Sequence, residues 1–212
     1  MSSAYGGSLI PKPIPKAPMS SILPMAKTLR NGMASSLHSI DPNNTALVDY
    51  LHQLFNLELE DGSTYPQEDP LDRQAFVAYF LSYDAFVLVK GDTVPDQANE
   101  MQDNILGTFY VKPNYPGRCS HICNAGFVTS SIHRGNGAGV AMGESLTLIA
   151  TTLGYKGIVF NLVFANNTAS LKIWPKLGFN QAGVIPKAAR LKNSPDQLVD
   201  AIIFHKDLTE DA

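Results

Sequence analysis

The stretch of sequence that most constrains the fold is a glycine-rich segment between an apolar run and a helical pattern. The apolar run covers residues 122–130, and the helical pattern covers about 137–153. The segment itself consists of Arg134, Gly135, Asn136, Gly137, Ala138 and Gly139. Without bulky side chains, an anion can approach the unpaired N–H groups and the positive dipole end of a helix start. The segment therefore predicts a strand–loop–helix unit that binds phosphate, with a turn needed only for close packing as the alternative.

Two familiar phosphate-binding loops do not fit this segment. A dinucleotide-binding loop has the pattern G-x-G-x-x-G. Counted from Gly135, its third glycine position is Val140, and counted from Gly137 it is Met142. A nucleotide-binding P-loop ends in Gly-Lys-Ser/Thr, whereas valine and alanine follow Gly139. The cofactor class must therefore come from other parts of the sequence.

Composition excludes several classes of partner. The chain has 212 residues, of which 44% are hydrophobic, which is enough for one sizeable core. A formal net charge of -3 gives no long-range attraction for phosphates, so we predict no nucleic-acid partner. No apolar run approaches the roughly 18 to 20 residues that cross a bilayer. We therefore expect no membrane association and a cytoplasmic location, with the nucleus also open.

The first 21 residues differ in composition from the rest of the chain. They contain four closely spaced prolines among small polar residues, namely Pro11, Pro13, Pro15 and Pro18. Proline lacks the N–H group that helices and sheet ladders need. We predict a flexible N-terminal arm over residues 1–21 and a single domain over residues 22–212.

Two helices are predicted in the first third of the chain. Apolar residues recur at helical spacing from Thr45, where Asn43 or Asn44 provides the cap. Asp69 as N-cap and a proline at the first helical position predict a second helix over about residues 70–81.

From residue 85 onward, predicted strands and helices alternate. Strands are predicted at 85–90, 105–113, 122–130, 158–164, 182–185 and 200–204, and helices at about 137–153 and 167–177. The polar link before residue 105 is expected to be an exposed loop. Short early links and later helical links predict an α/β (α+β) class, with a mixed sheet of about six to seven strands and about four helices.

The two cysteines do not predict a disulfide or a metal site. Cys119 and Cys123 are four residues apart, which is about 13 Å in a strand and too far for a disulfide. His121 between them does not supply the missing metal ligands. We predict free thiols and no metal.

Two motifs together resemble a known family. The pattern R-x-x-G-x-G, after a strand and opening a helix, resembles the acetyl-CoA pyrophosphate loop of the GNAT superfamily of N-acetyltransferases. "NNTASLKIWPKLGF" (residues 166–179), about thirty residues later, is similar to that family's next motif, with "IVFNLVF" as the strand between them. The resemblance covers roughly Leu47 to Leu208. It implies the GNAT fold, whose mostly antiparallel sheet splays to form a slot for acetyl-CoA.

Several segments are similar to one branch of this superfamily, the fungal L-azetidine-2-carboxylate N-acetyltransferases. These are "LFNLELEDGSTYPQ", "LGTFYVKPNYPGRCSHICNAGF", "FNLVFANNTASLKIWPKLGF" and "VDAIIFHKDLT". The resemblance implies acetyl transfer from acetyl-CoA to the imino nitrogen of a small cyclic amino acid. Azetidine-2-carboxylate, cis-4-hydroxyproline and a proline-pathway intermediate are the expected acceptors, in detoxification and oxidative-stress tolerance. It also suggests a homodimer.

The resemblance assigns a cofactor role to residues on the strand and in the glycine segment. Backbone groups near Phe127, Val128 and Thr129 would hold pantetheine, and a strand N–H would polarise the thioester carbonyl. The segment Arg134, Gly135, Asn136, Gly137, Ala138 and Gly139 would hold the pyrophosphate.

Three asparagines are the main candidates for catalysis and acceptor binding. An amide inside an apolar strand must find partners, and both Asn124 and Asn161 lie in such strands. Either amide could simply tie down neighbouring backbone, but the resemblance implies that both bind the acceptor, with Asn161 also catalytic. For Asn167 it implies a role in catalysis or coenzyme positioning, with Ser170 as a weaker coenzyme contact. Asn167 is equally well placed as a helix N-cap.

The sequence departs from many GNAT enzymes in lacking a carboxylate on the strand before the glycine segment. His133 is close in sequence, but we expect it to be structural or solvent-facing. Water held by the strand asparagines, or entry of the neutral amine, would then replace a general base. Acetylation of a peptide lysine or polyamine, and an acyl-CoA-binding module without turnover, are the alternative functions.

Overall fold

A computed structural model describes residues 10–209 as one eight-stranded sheet with helices on both faces. The strands are β1 (Met25–Thr28), β2 (Ala34–Ser39), β3 (Asp84–Lys90), β4 (Ile105–Pro113), β5 (Ile122–Thr129), β6 (Gly157–Phe164), β7 (Asn180–Ala189) and β8 (Val199–Asp207). Their order across the sheet is β1-β2-β3-β4-β5-β6-β8-β7. Within the described residues, β5 and β6 form the parallel pair and the other neighbours are antiparallel. The predicted α/β class with a mixed, mostly antiparallel sheet is confirmed.

The helices cover the two faces of the sheet. They are α1 (Thr45–Asp61), α2 (Arg73–Phe80), α3 (Met101–Asn104), α4 (Ala138–Thr152) and α5 (Thr168–Lys176). One core cluster combines the apolar sides of α1 and α2 with β3, β4 and buried Val128. The other combines α4 and Trp174 of α5 with the opposite face of the sheet. The sheet is therefore enclosed on both sides around its centre, where the glycine segment lies.

The element count exceeds the prediction. The sheet has eight strands rather than six to seven, because β1 and β2 extend it beyond β3. The link before β4 is partly helical rather than an open loop, since Ala98–Glu100 forms a 3-10 turn and α3 follows it. Met101 at the start of α3 is fully buried, and this anchors the link to the core.

Capping explains where the first two helices begin. Asn44 caps α1, because its side chain accepts a hydrogen bond from the N–H of Leu47. The prediction for α2 was wrong by one turn: the cap is Asp72, which accepts from the N–H of Ala75 at 2.7 Å, and not Asp69. Phe76 and Phe80 of α2 stack on each other, and both rings contact Phe55 of α1 in tilted or edge-on arrangements, so packing helps to fix the position of the helix.

The two central strands separate soon after they meet. In β5, Ile122 and Cys123 are paired with Gly157 and Ile158 of β6, and the pairing ends there. On its other side β5 stays paired with β4 as far as Thr129. One edge of residues 124–129 therefore faces an opening between the strands, as the predicted splayed slot requires.

Part of the predicted N-terminal arm lies outside the described residues. Residues 10–21 run along the domain, where the N–H of Lys16 donates to the carbonyl of Thr152 and Lys12 pairs with Asp84 at 2.8 Å. The flexibility of the arm stays a prediction. No helix between residues 10 and 209 is long and apolar enough to cross a membrane.

Candidate active site

The glycine segment forms the start of α4, as its sequence predicts. Gly137 occupies the N-cap position with φ 96°, and Gly135 has φ 83°. Both angles lie in the left-handed region that favours glycine. A side chain on Gly137 would also meet the backbone nitrogen of Arg30 at 3.1 Å. The segment thus leaves the first N–H groups of a 15-residue helix open to an anion.

A groove of about 540 Å³ runs along this helix start. Of the predicted cofactor residues it is lined by Phe127, Thr129, Arg134, Gly135, Gly137, Ala138, Gly139, Asn167 and Ser170. Val128 points away into the core beneath α1, with 2% of its surface exposed. Asn136 is half-buried in the loop and is not part of the groove wall. The structure therefore brings nine of the eleven predicted cofactor residues to one groove, and Val128 and Asn136 lie outside it.

Sequence reasoning missed the acidic partner of Arg134. The guanidinium of Arg134 donates to Glu58 of α1 at 2.7 Å, and the hydroxyl of Thr64 donates to the other carboxylate oxygen at 2.6 Å. Glu58 is 8% exposed, so this pair links α1 to the glycine segment. Arg30, from the β1–β2 connection, adds a second guanidinium to the groove wall. Both arginines suit a phosphorylated ligand.

A smaller cavity of about 200 Å³ adjoins the groove on the α1 and α2 side of β5. Its walls share Thr64, Phe127, Asn167, Ser170 and Trp174 with the groove. The remaining wall residues include three tyrosines and both strand asparagines, namely Tyr65, Tyr79, Tyr110, Asn124 and Asn161. A ligand in this cavity would therefore contact the groove at its edge. Because it is lined by the two asparagines predicted to bind the acceptor, this space is called the acceptor cavity.

Asn161 points into the acceptor cavity because β6 bulges at that residue. The pairing of β6 with β8 shifts register between Phe160 and Val163, and a bulge redirects the side chains it contains. The Asn161 amide is held by a partner that the sequence did not suggest. Asn114 donates to the Asn161 oxygen at 3.1 Å, and Asn161 donates back at 2.6 Å. One N–H and one oxygen lone pair of Asn161 remain for a ligand.

Asn124 lines the same cavity as Asn161, from the other strand that borders the opening. Within residues 10–209, its side-chain amide makes no hydrogen bond, so it is free to bind a ligand. Gly126, two residues after Asn124 in β5, leaves room for the ring of Tyr110. A side chain at position 126 would meet the Tyr110 hydroxyl at 2.5 Å. The size of the cavity thus depends on a glycine.

Tyrosine hydroxyls close the other side of the acceptor cavity. Tyr65 donates to the carbonyl of Phe127 at 3.2 Å, and the hydroxyls of Tyr79 and Tyr110 are 2.9 Å apart. Burial raises the pKa of all three tyrosines, so they stay neutral at physiological pH. The wall is therefore aromatic and polar but uncharged at these positions.

Asn167 stands where the groove and the acceptor cavity meet. Its side-chain oxygen accepts the N–H of Ser170 at 3.1 Å and so caps α5. Its amide nitrogen remains available at the junction. Trp174, one helical turn beyond Ser170, packs against Phe160 at 4.3 Å between ring centroids. Trp174 is buried in the core, and it also forms part of both walls.

The arrangement suits transfer of a group from a phosphorylated carrier to a small molecule. The positive helix start and two arginines lie at one end of the groove, while Asn167 and the free edge of β5 lie at its junction with the acceptor cavity. Strand N–H groups at such an edge can stabilise a developing oxyanion. His133 lies outside both cavities, against the carbonyl of Gln102 at 3.2 Å, so it is not part of either wall.

Comparison with known proteins agrees with this geometry. No protein-family model matches the chain. The N-acetyltransferase aca1 of Schizosaccharomyces pombe is 40% identical over 179 residues, which cover 80% of this chain and 85% of that protein.

Two solved structures have the same fold. A GCN5-related N-acetyltransferase from Kribbella flavida is 23% identical, with a TM-score of 0.67 over 82% of this chain and 98% of its own. A GNAT superfamily phosphinothricin acetyltransferase from Sinorhizobium meliloti, solved in complex with acetyl-CoA, is 15% identical, with a TM-score of 0.68 over 83% and 89% of the two chains. Because the identity to the yeast enzyme extends over most of both chains and the fold is shared, this chain belongs to the GNAT superfamily of acetyl-CoA-dependent N-acetyltransferases.

Proposed function

We propose that this N-acetyltransferase transfers acetyl to the imino nitrogen of a small cyclic amino acid, such as L-azetidine-2-carboxylate or cis-4-hydroxyproline. The observation that carries the proposal is that Asn124 and Asn161, predicted from the sequence as acceptor ligands, line one small cavity beside the cofactor groove. A cavity of about 200 Å³ suits a compact acceptor better than a peptide. The sequence resemblance to the proline-analogue acetyltransferases supports the same acceptor class.

In this proposal acetyl-CoA lies in the groove, with its pyrophosphate at the N-terminus of α4. Arg134 and Arg30 supply positive charge there, and Glu58 orients Arg134. The pantetheine arm runs along the free edge of β5 past Phe127 and Thr129. The thioester then reaches the junction at Asn167, where its carbonyl can accept a hydrogen bond from a β5 N–H.

The acceptor contributes a nitrogen nucleophile that must be neutral when it attacks. Asn124 and Asn161 would orient the ring so that the nitrogen lone pair faces the thioester carbon, which is a gain from positioning. Attack forms the amide bond, releases the coenzyme A thiolate and leaves one proton to be removed from nitrogen. Asn161 would hold the water that takes this proton, and Asn167 would hold the departing thiolate end of the coenzyme.

The alternative acceptors lack matching features in the acceptor cavity. Among the residues that the structure describes, its walls carry no carboxylate, whereas a polyamine would need anionic partners. Acetylation of the imino nitrogen would prevent that nitrogen from forming a peptide bond. A toxic proline analogue would thereby become unusable for translation, which fits detoxification and stress tolerance.

A thiol-release assay tests the proposal directly. Acetyl-CoA is offered together with azetidine-2-carboxylate, cis-4-hydroxyproline, proline, spermidine or a lysine peptide. We expect free coenzyme A only with the cyclic imino acids. Turnover confined to spermidine or the lysine peptide would contradict the proposed acceptor, and coenzyme binding without any turnover would favour a binding module.

A further inference from the structure

We propose that Lys112 supplies the positive charge that recognises the carboxylate of the acceptor, so that this enzyme selects amino acids over amines without an anionic group. The proposal rests on the proposed acetylation of a cyclic amino acid and adds the basis of its specificity. Lys112 would be a specificity-determining residue and takes no part in bond making. It lies on β4, next to the acceptor cavity, and the sequence alone gave it no role.

The register of β4 and β5 places Lys112 beside the acceptor ligands. Lys112 is directly paired with Asn124, and Tyr110 is paired with Gly126. Paired residues of antiparallel strands project to the same face, with Cβ atoms roughly 4.5 to 5.5 Å apart. The Lys112 side chain therefore starts next to Asn124, on the face of the sheet that carries the acceptor cavity.

Two aromatic rings of the cavity wall hold the ammonium group. The Nζ atom of Lys112 lies 4.2 Å from the ring centroid of Tyr79 and 4.3 Å from that of Tyr110. Such distances are typical of a cation–π contact. Both rings line the acceptor cavity, so the charge is fixed against its wall instead of extending into solvent.

In the part of the chain that the structure describes, this charge has no anionic partner. The five ion pairs within residues 10–209 all use other side chains. Burial lowers the pKa of Lys112 to about 8, so the ammonium remains mostly protonated at neutral pH. The titratable groups that face it are the hydroxyls of Tyr79 and Tyr110, and burial keeps both neutral by raising their pKa values.

A partly desolvated cation without a counter-ion is unfavourable unless a ligand supplies the anion. An amino acid acceptor brings one carboxylate close to the nitrogen to be acetylated. A lysine side chain or a polyamine brings no anion, and its additional positive charges would be repelled by Lys112. The same residue therefore favours the proposed acceptor and disfavours both alternative amines.

The test compares an acid and its amide in matched variants. Azetidine-2-carboxylate and azetidine-2-carboxamide are offered to the wild type, Lys112→Met, Lys112→Arg and the control Lys90→Met. Lys90 is an exposed lysine at the end of β3, so its substitution removes the same charge far from the cavity. Thermal unfolding verifies that each variant is folded, and methionine keeps an unbranched apolar stem against the two rings.

We expect the wild type to prefer the acid over the amide by about 10-fold to 100-fold in kcat/KM, as for a charge-assisted hydrogen bond. Lys112→Met should lose this preference through a higher KM for the acid, whereas Lys112→Arg should retain part of it. Lys90→Met should behave like the wild type. A folded Lys112→Met enzyme that keeps the full preference for the acid would overturn the proposal.

Binding measurements separate this proposal from the proposed function. Calorimetric titration of each ligand into the complex with coenzyme A requires no turnover. If the wild type binds the acid better than the amide and Lys112→Met does not, Lys112 recognises carboxylate even if no cyclic amino acid is acetylated. If the wild type turns over the acid but binds acid and amide equally, the proposed function stands and the role of Lys112 is refuted. If neither ligand binds, both proposals fail.

Discussion

The side-chain oxygen of Asn167 caps α5, and the residue lines both cavities, so two substitutions separate its structural role from its proposed function. Asn167→Ala removes the whole side-chain amide. In the wild type, the side-chain oxygen of Asn167 accepts the N–H of Ser170 at 3.1 Å. Asn167→Asp keeps an oxygen for this hydrogen bond but removes the side-chain N–H donor of residue 167. If Asn167 only caps the helix, the aspartate variant should be fully active.

The expected loss of stability follows from the cap. Replacing an N-cap asparagine by alanine costs about 1 kcal/mol, and about 2 to 4 °C in Tm for a chain of this size. Aspartate at the same position should retain the wild-type Tm or exceed it, because a negative charge at a helix start is favourable. Differential scanning calorimetry of the three proteins measures this difference.

The expected loss of activity differs from the loss of stability. A hydrogen bond to a developing charge is worth roughly 1.5 to 3 kcal/mol, which corresponds to about 10-fold to 150-fold in rate. Both variants should therefore lose kcat in the thiol-release assay, although only alanine loses stability. An Asn167→Asp enzyme with wild-type kcat would refute the functional role, and an Asn167→Ala protein with unchanged Tm would refute the cap.

Three further outcomes follow from the geometry. Gly137→Ala should weaken coenzyme A binding in calorimetry and cost about 1 kcal/mol of stability, because φ is 96° and the new side chain would contact Arg30. In the control Gly91→Ala, φ is 74° but the surrounding space is open, so this variant should lose stability and keep its affinity for coenzyme A. Equal coenzyme A affinity in the two variants would contradict a role of Gly137 in binding. Asn114→Ala should raise the acceptor KM about 10-fold by releasing Asn161 without changing coenzyme A affinity, and an unchanged KM would contradict it. The last outcome concerns the free energy of unfolding in urea titrations without ligand. The value for the wild type relative to Lys112→Met should rise between about pH 8 and pH 10, because the unfolded lysine, with a pKa near 10.4, then binds more protons than the folded one. A difference independent of pH would contradict the burial of this charge.

Most helices and strands after residue 45 were predictable because they have strong local patterns, whereas α3 and the start of α2 were not. The predicted strand at 105–113 and the observed β4 have the same bounds. Of the two caps predicted for α1, Asn43 or Asn44, the structure has Asn44. The helix predicted at 167–177 ends before Gly178, whose φ of 79° is typical of a residue that follows a helix. Local physics therefore suffices where a single residue type decides the end of an element.

The first two strands could not be predicted in this way. β2 has the sequence "ASSLHS", in which Leu37 is the one large apolar residue. Neither strand has a strong hydrophobic pattern of its own, so the neighbouring elements bury it. Leu37 is fully buried because β2 pairs with β1 on one side and β3 on the other. The strands exist through tertiary pairing, which no window of sequence contains.

The same distinction separates the two halves of the active site. The cofactor groove is built around a local strand–loop–helix unit, so its phosphate-binding segment 134–139 could be predicted from the sequence, whereas Arg30 and Glu58 could not. The acceptor cavity depends on the β4–β5 register and on the bulge in β6, which bring Lys112 beside Asn124 and Asn114 to Asn161. A shift of one residue in that register would move Lys112 to the opposite face of the sheet. Under the proposed function, selection of the acceptor by this enzyme therefore depends on the part of the site that only strand pairing determines.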